Sequence, residues 1–135
     1  MDDSVKELFE AACAARLRSY SPYSNYKVGA ALRTTDGAVF AGCNVENAAY
    51  PEGVCAEGGA ISMMVAGTNG VPKIAEIVTV TVGDTPGTPC GGCRQKIREF
   101  SNEATAIHAT TVDGAMRTVS MEQLLPDSFG PERLL

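Results

Sequence analysis

Apolar residues along this chain change their spacing several times, and each change marks an element. Over residues 4–19, Val5, Leu8, Phe9, Ala12 and Leu17 recur close to helical spacing, and Ser4 with Glu7 has the form of a capping box. A first helix is predicted there, ended by the turn chemistry of Ser21-Pro22-Tyr23-Ser24-Asn25. Over residues 27–34, Val28, Ala30 and Leu32 alternate on one face of a short strand. Thr35-Asp36-Gly37 is a turn signal, so residues 38–45 are expected to return as the second strand of a hairpin. Residues 46–54 are polar, contain Pro51 and Gly53, and read as a loop. Residues 55–66 read as a second helix, with Gly67 near its stop.

The Ile- and Val-rich run 74–82 predicts a buried strand, and residues 83–89, with Pro86 and Pro89, a loop. Helical spacing resumes at Ile97 and Phe100. Two strands, 104–110 and 116–119, flank the Asp113-Gly114 turn, and a short helix follows at 120–125. Strands interleaved with helices predict a mixed sheet covered by helices, an α/β layered domain. At 135 residues the chain is expected to form one domain over 1–135, large enough to bury roughly two-thirds of its unfolded surface without a disulfide or metal.

Charge narrows the classes of partner. The formal net charge is −5, which disfavours a phosphate backbone as partner, and the basic residues form no aromatic-lined tract. No apolar run approaches the length of a bilayer span, and Met1-Asp2-Asp3-Ser4 is acidic where a secretory signal would be basic. The expectation is a cytoplasmic protein with neither nucleic acid nor membrane as partner.

Five cysteines, Cys13, Cys43, Cys55, Cys90 and Cys93, change the picture. Without a secretory signal, an odd count argues against a disulfide framework. Cys13 and Cys43 fall inside regular elements and fit buried structural thiols. The other three lie where loops enter helices, in Val54-Cys55-Ala56-Glu57 and Pro89-Cys90-Gly91-Gly92-Cys93. Unpaired amides at such helix starts favour thiolate over thiol. Cys90 and Cys93, three apart, can face one point from the same turn.

Three thiolates suit Zn²⁺, one ion per chain. A structural site would need a fourth protein ligand from Cys13, Cys43 or His108, the only histidine. Cys13 and His108 sit in predicted regular elements with no partner at ligand spacing, so a three-ligand site with an open fourth position is expected, the arrangement of a catalytic zinc. Glu57, two residues after Cys55, is placed to accept and return a proton beside it. This spacing is a known signature of zinc nucleobase deaminases.

The chain closely resembles the small homotetrameric zinc-dependent cytidine deaminases. The likeness runs through Ser21-Pro22-Tyr23-Ser24, Val28-Gly29-Ala30-Ala31-Leu32, Gly42-Cys43-Asn44-Val45-Glu46-Asn47-Ala48-Ala49-Tyr50, Cys55-Ala56-Glu57, Pro89-Cys90-Gly91-Gly92-Cys93-Arg94-Gln95 and Leu124-Leu125-Pro126-Asp127-Ser128-Phe129-Gly130. The resemblance implies a three-layer α/β/α fold with a mixed five-stranded sheet, and deamination of cytidine and deoxycytidine in pyrimidine salvage. It implies Cys55, Cys90 and Cys93 as zinc ligands and Glu57 as proton shuttle. Asn44 and Glu46 would bind the ribose, Tyr26 would line the pyrimidine pocket, and the Ala56 amide would bind the pyrimidine carbonyl. Tyr50 and Phe129 match positions that reach a neighbouring subunit's site in a tetramer.

One departure stands out. Many three-cysteine relatives carry arginine directly after the catalytic glutamate, where this chain has Gly58 and then Gly59. Three thiolates and one Zn²⁺ sum to a single negative charge, so compensation must come from elsewhere. The expected sources are the two helix N-termini, assisted by Arg94. Other readings stay open on the residues alone: a deaminase of cytosine-containing antibiotics, a zinc-stabilised module without catalysis, or a Cys-x-x-Cys thiol oxidoreductase.

Overall fold

In the computed structural model, which describes residues 1–135, the first helix, α1, spans Asp3–Arg16. Its N-cap is Asp2, whose carboxylate accepts the Val5 N–H at 2.9 Å and the Ser4 hydroxyl at 3.0 Å. The expected Ser4/Glu7 capping box is therefore displaced by two residues, because an ionised cap makes the stronger hydrogen bond. Strands β1 (Gly29–Thr34) and β2 (Val39–Cys43) form the hairpin, with Gly37 at φ +96° in its turn. Helix α2 covers Ala56–Ala66 and strand β3 Ile74–Thr81. Helix α3 (Gly91–Glu99) crosses to β4 (Ala106–Thr111), which turns into β5 (Met116–Ser120) and the short α4 (Met121–Leu124).

The sheet order is β2-β1-β3-β4-β5. Only β3 and β4 are parallel, and their crossover is α3. Side-chain alternation sends alternate residues of β1 and β3 to opposite faces. Ala31, Val78 and Val80 meet Val5, Leu8 and Ala12 of α1 on one face. Ala30, Leu32 and Ile77 meet Ala60, Met64 and Ile97 of α2 and α3 on the other. The mixed sheet thus lies between two helical layers, as expected. Each large side chain buried there stabilises the fold by about 1.5–3 kcal/mol. No helix is long and apolar enough to cross a membrane.

His108 lies on the α1 face of the sheet. Its Nε2 is 3.0 Å from Glu76 Oε1 and its Nδ1 2.8 Å from Thr118 Oγ1, so both ring nitrogens are engaged away from the cysteines.

Candidate active site

The N-termini of α2 and α3 converge at the end of the sheet where β3 finishes. Two backbone features bring them there. Val45 and Val54 exchange hydrogen bonds of 2.9 and 2.8 Å, pinching off loop 46–53 and returning the chain to Cys55. The Gly42 backbone then packs directly on α2, where a Cβ would come within 2.4 Å of Ala60 N. Gly59 faces the same contact, 3.7 Å from Gly42 Cα for a built Cβ. A Cβ on Gly59 would make only ordinary contact there, so it is Gly42 whose missing side chain gives α2 its seat on β2.

Cys55 and Cys90 are the N-caps of α2 and α3, and neither sulfur caps its own helix. With Cys93 they form one group whose sulfurs all lie within 4.8 Å of one another. Neither Cys13, Cys43 nor His108 joins it. The Cys93 amide pushes the Cys90 thiol down. Burial pushes Cys55 and Cys93 up, Cys93 far above the ordinary thiol range. Clustered thiols that resist ionising together are the environment a divalent cation reverses, since a coordinated thiol deprotonates. The donor set fits Zn²⁺, with sulfurs from two helix starts and no fourth protein ligand.

Cys55 and Cys90 of this group line a cavity of about 410 Å³. Tyr26, Asn44, Glu46, Tyr50, Cys55, Ala56, Glu57 and Cys90 all line it. Glu57, in the first turn of α2, is 5% exposed. Burial pushes its carboxyl up, opposed by a Cys93 hydrogen bond and the Lys96 charge. Glu46, in the same lining, accepts the Tyr23 N–H at 2.9 Å, the Ser24 N–H at 3.2 Å and the Ser24 hydroxyl. The Ser24 hydroxyl is the main cause that holds the Glu46 carboxyl below the ordinary range.

Asn44 has a double engagement. Its Nδ2 donates to Tyr26 O at 2.8 Å, while Oδ1 accepts the Val28 N–H at 2.9 Å and the Ser19 hydroxyl. It holds the segment carrying Tyr26 while itself lining the cavity. Phe129 is 58% exposed and does not line this cavity; its carbonyl accepts Gln95 Nε2 at 2.9 Å. Arg94 directs its guanidinium to Pro89 O, Leu124 O and Thr88 Oγ1 at 2.7–2.9 Å. It ties down the loop before Cys90, and its three hydrogen bonds go to oxygens, none to a sulfur.

Sequence reading missed Thr79 and Thr81, which line the cavity from β3. Their signal was present as two polar residues that share the face of Ile77 on a strand rich in Ile and Val. Thr79 is 2% exposed and its Oγ1 has no hydrogen-bond partner.

Comparison with known proteins agrees with this geometry. The zinc-binding region of cytidine and deoxycytidylate deaminases matches residues 2–109. A cytidine deaminase of Sporosarcina psychrophila is 38% identical over 130 residues, 96% of this chain and 94% of that protein. The crystal structure of cytidine deaminase from Burkholderia pseudomallei superposes with TM-score 0.84 at 45% identity, covering 96% of this chain and 100% of its own. That of Mycobacterium leprae gives 0.79 at 38% identity, covering 93% and 100%. With both helix starts, their three sulfurs and Glu57 in place, the chain belongs to the zinc-dependent cytidine and deoxycytidylate deaminase family.

Proposed function

We propose that the protein hydrolyses cytidine and deoxycytidine to uridine and deoxyuridine with release of ammonia. The carrying observation is one cavity whose lining brings together Cys55 and Cys90 of the three-sulfur group, buried Glu57, Glu46 and Asn44. Cys55, Cys90 and Cys93 would hold the zinc, which when bound would make a water nucleophile available at neutral pH. Glu57 accepts one proton from the attacking water and delivers it to ring N3; as the C4–N bond breaks, it takes the second proton from the new C4 hydroxyl and gives it to the departing amino nitrogen, which leaves as ammonia. The Ala56 amide, at the start of α2, donates to the pyrimidine carbonyl. Glu46 and Asn44 take the sugar hydroxyls, and Tyr26 packs against the base.

No lysine or arginine lines the cavity. A free nucleoside is therefore the favoured substrate, since a nucleotide phosphate would sit beside Glu46 without a cation. Salvage of pyrimidine nucleosides in the cytoplasm is the corresponding role. The test is ammonia release from cytidine and deoxycytidine, paired with zinc content per chain. Turnover with one zinc per chain is expected; activity in metal-free protein overturns the reading.

A homotetramer is part of the same proposal. Helix α2 carries large apolar residues on its outer face too, leaving Met63 and Val65 about half exposed beside Ser62, and such an outer face is ordinarily covered. Phe129, exposed and outside its own cavity, is then free to reach a neighbour's site, while Tyr50, which lines its own cavity, is exposed enough at 75% to meet a neighbour at the cavity mouth. A solution mass near 14.1 kDa would overturn the assembly.

A further inference from the structure

The charge problem posed by Gly58 has a structural answer on the neighbouring helix. Three thiolates around one dication would leave a net negative charge, and Glu57 would add another whenever it ionises. The helix N-termini at Cys55 and Cys90 offset part of this through their partial positive charge. Arg94 contributes its hydrogen bonds elsewhere, to Thr88, Pro89 and Leu124.

Lys96 is differently placed. Cys90, Cys93 and Lys96 follow one another at intervals of three, from the N-cap of α3 along the same side of that helix. The Lys96 side chain reaches across to the first turn of α2 and lies over Gly58. A Cβ at position 58 would be 3.3 Å from its Nζ and 3.7 Å from its Cδ. The ammonium forms no ion pair with any carboxylate. Arg33 and Arg98, by contrast, have carboxylate partners at 2.7 Å.

We infer that Lys96 supplies the cation that offsets the thiolate-rich metal site, delivered from α3 into the space left empty by the absence of a side chain at Gly58. The two features depend on each other. A long side chain at 58 would compete with Lys96 for the same volume, and without a cation in that volume the site keeps its full negative charge. Lys96 touches neither substrate nor metal in this role; it acts through the field at the sulfurs and Glu57. The inference rests on the zinc-dependent reading above.

The experiment measures zinc release from the purified holoprotein into excess chromogenic chelator, at low salt and at 1 M salt. Lys96→Met keeps the length and apolar stem of the side chain and removes the charge. At low salt it should release zinc roughly threefold to tenfold faster than wild type, the range expected of one solvent-exposed cation. The difference should shrink at 1 M salt, where the Debye length is about 3 Å. Lys96→Arg should behave as wild type, and Gly58→Arg combined with Lys96→Met should recover slow release by restoring the charge from α2.

Wild-type release from Lys96→Met overturns the inference. So does fast release that persists unchanged in 1 M salt and is shared by Lys96→Arg, because that pattern marks lost packing. A wild-type protein that binds no zinc removes the metal reading and the inference together. Zinc-loaded wild type with release indifferent to Lys96 removes only the lysine's role.

Discussion

Gly42 of β2 and Ala60 of α2 meet backbone to backbone, closer than any side chain between them would permit. A Cβ on Gly42 would lie 2.4 Å from Ala60 N, 2.7 Å from Gly59 C and 2.9 Å from Ala56 O. This contact sets the height of α2 over the sheet, and with it the position of Cys55 and Glu57 at the helix start.

Gly42→Ala should therefore act on the fold and on the metal site together. Forcing a methyl group against three backbone atoms costs roughly 1–3 kcal/mol, in the range of overpacked cores. The expected result is a lower urea midpoint and fewer zinc ions retained per chain after dialysis. Full zinc retention at reduced stability would show that the start of α2 is held by something other than this contact.

Glu57→Gln preserves the shape of the side chain and removes its capacity to carry a proton. Zinc content should stay at one per chain, because the sulfurs are untouched. Turnover of cytidine should fall by about 10²–10⁴-fold, the usual contribution of general acid–base catalysis. Metal analysis and a steady-state assay on the same preparation separate the two effects.

Thr79→Val replaces a buried hydroxyl that has no partner with a methyl group of similar shape. An unsatisfied polar group is costly to bury, so stability should hold or rise by about 1 kcal/mol. A fall in kcat/KM for cytidine at undiminished stability would mark the hydroxyl as serving the bound ligand. A lower melting temperature would mean that the hydroxyl is satisfied in the folded protein.

The pH response of ribose binding should follow Glu46. Its folded pKa is depressed, chiefly by the Ser24 hydroxyl. Its favourable hydrogen bonds are therefore present above the ordinary glutamate value of about 4.3 and are lost only as pH falls through the lower folded value. KM for cytidine should stay level as pH approaches 4.3. Ser24→Ala removes the largest stabilising partner, and the rise in KM should then begin at higher pH.

Local patterns foretold much of this molecule. Helical spacing over Val5, Leu8 and Ala12, the Ile and Val run of β3, and the turn glycines Gly37 and Gly114 each report on residues close in sequence, where periodicity and backbone conformation act directly. The three cysteines and Glu57 were legible for a similar reason, since their spacing and their place at two helix starts are properties of short segments. Side-chain direction in three dimensions is another matter. That Asn44 divides itself between Tyr26, Val28 and Ser19, that Arg94 reaches Leu124 O, and that Lys96 lies over Gly58 all depend on segments far apart in the chain. Such contacts arise only when two helices seat on one sheet, because packing distance and not sequence distance determines which charge neighbours which. The chain's own residue order thus specified the elements and the chemistry they carry; the packed fold assigned each polar group its partner.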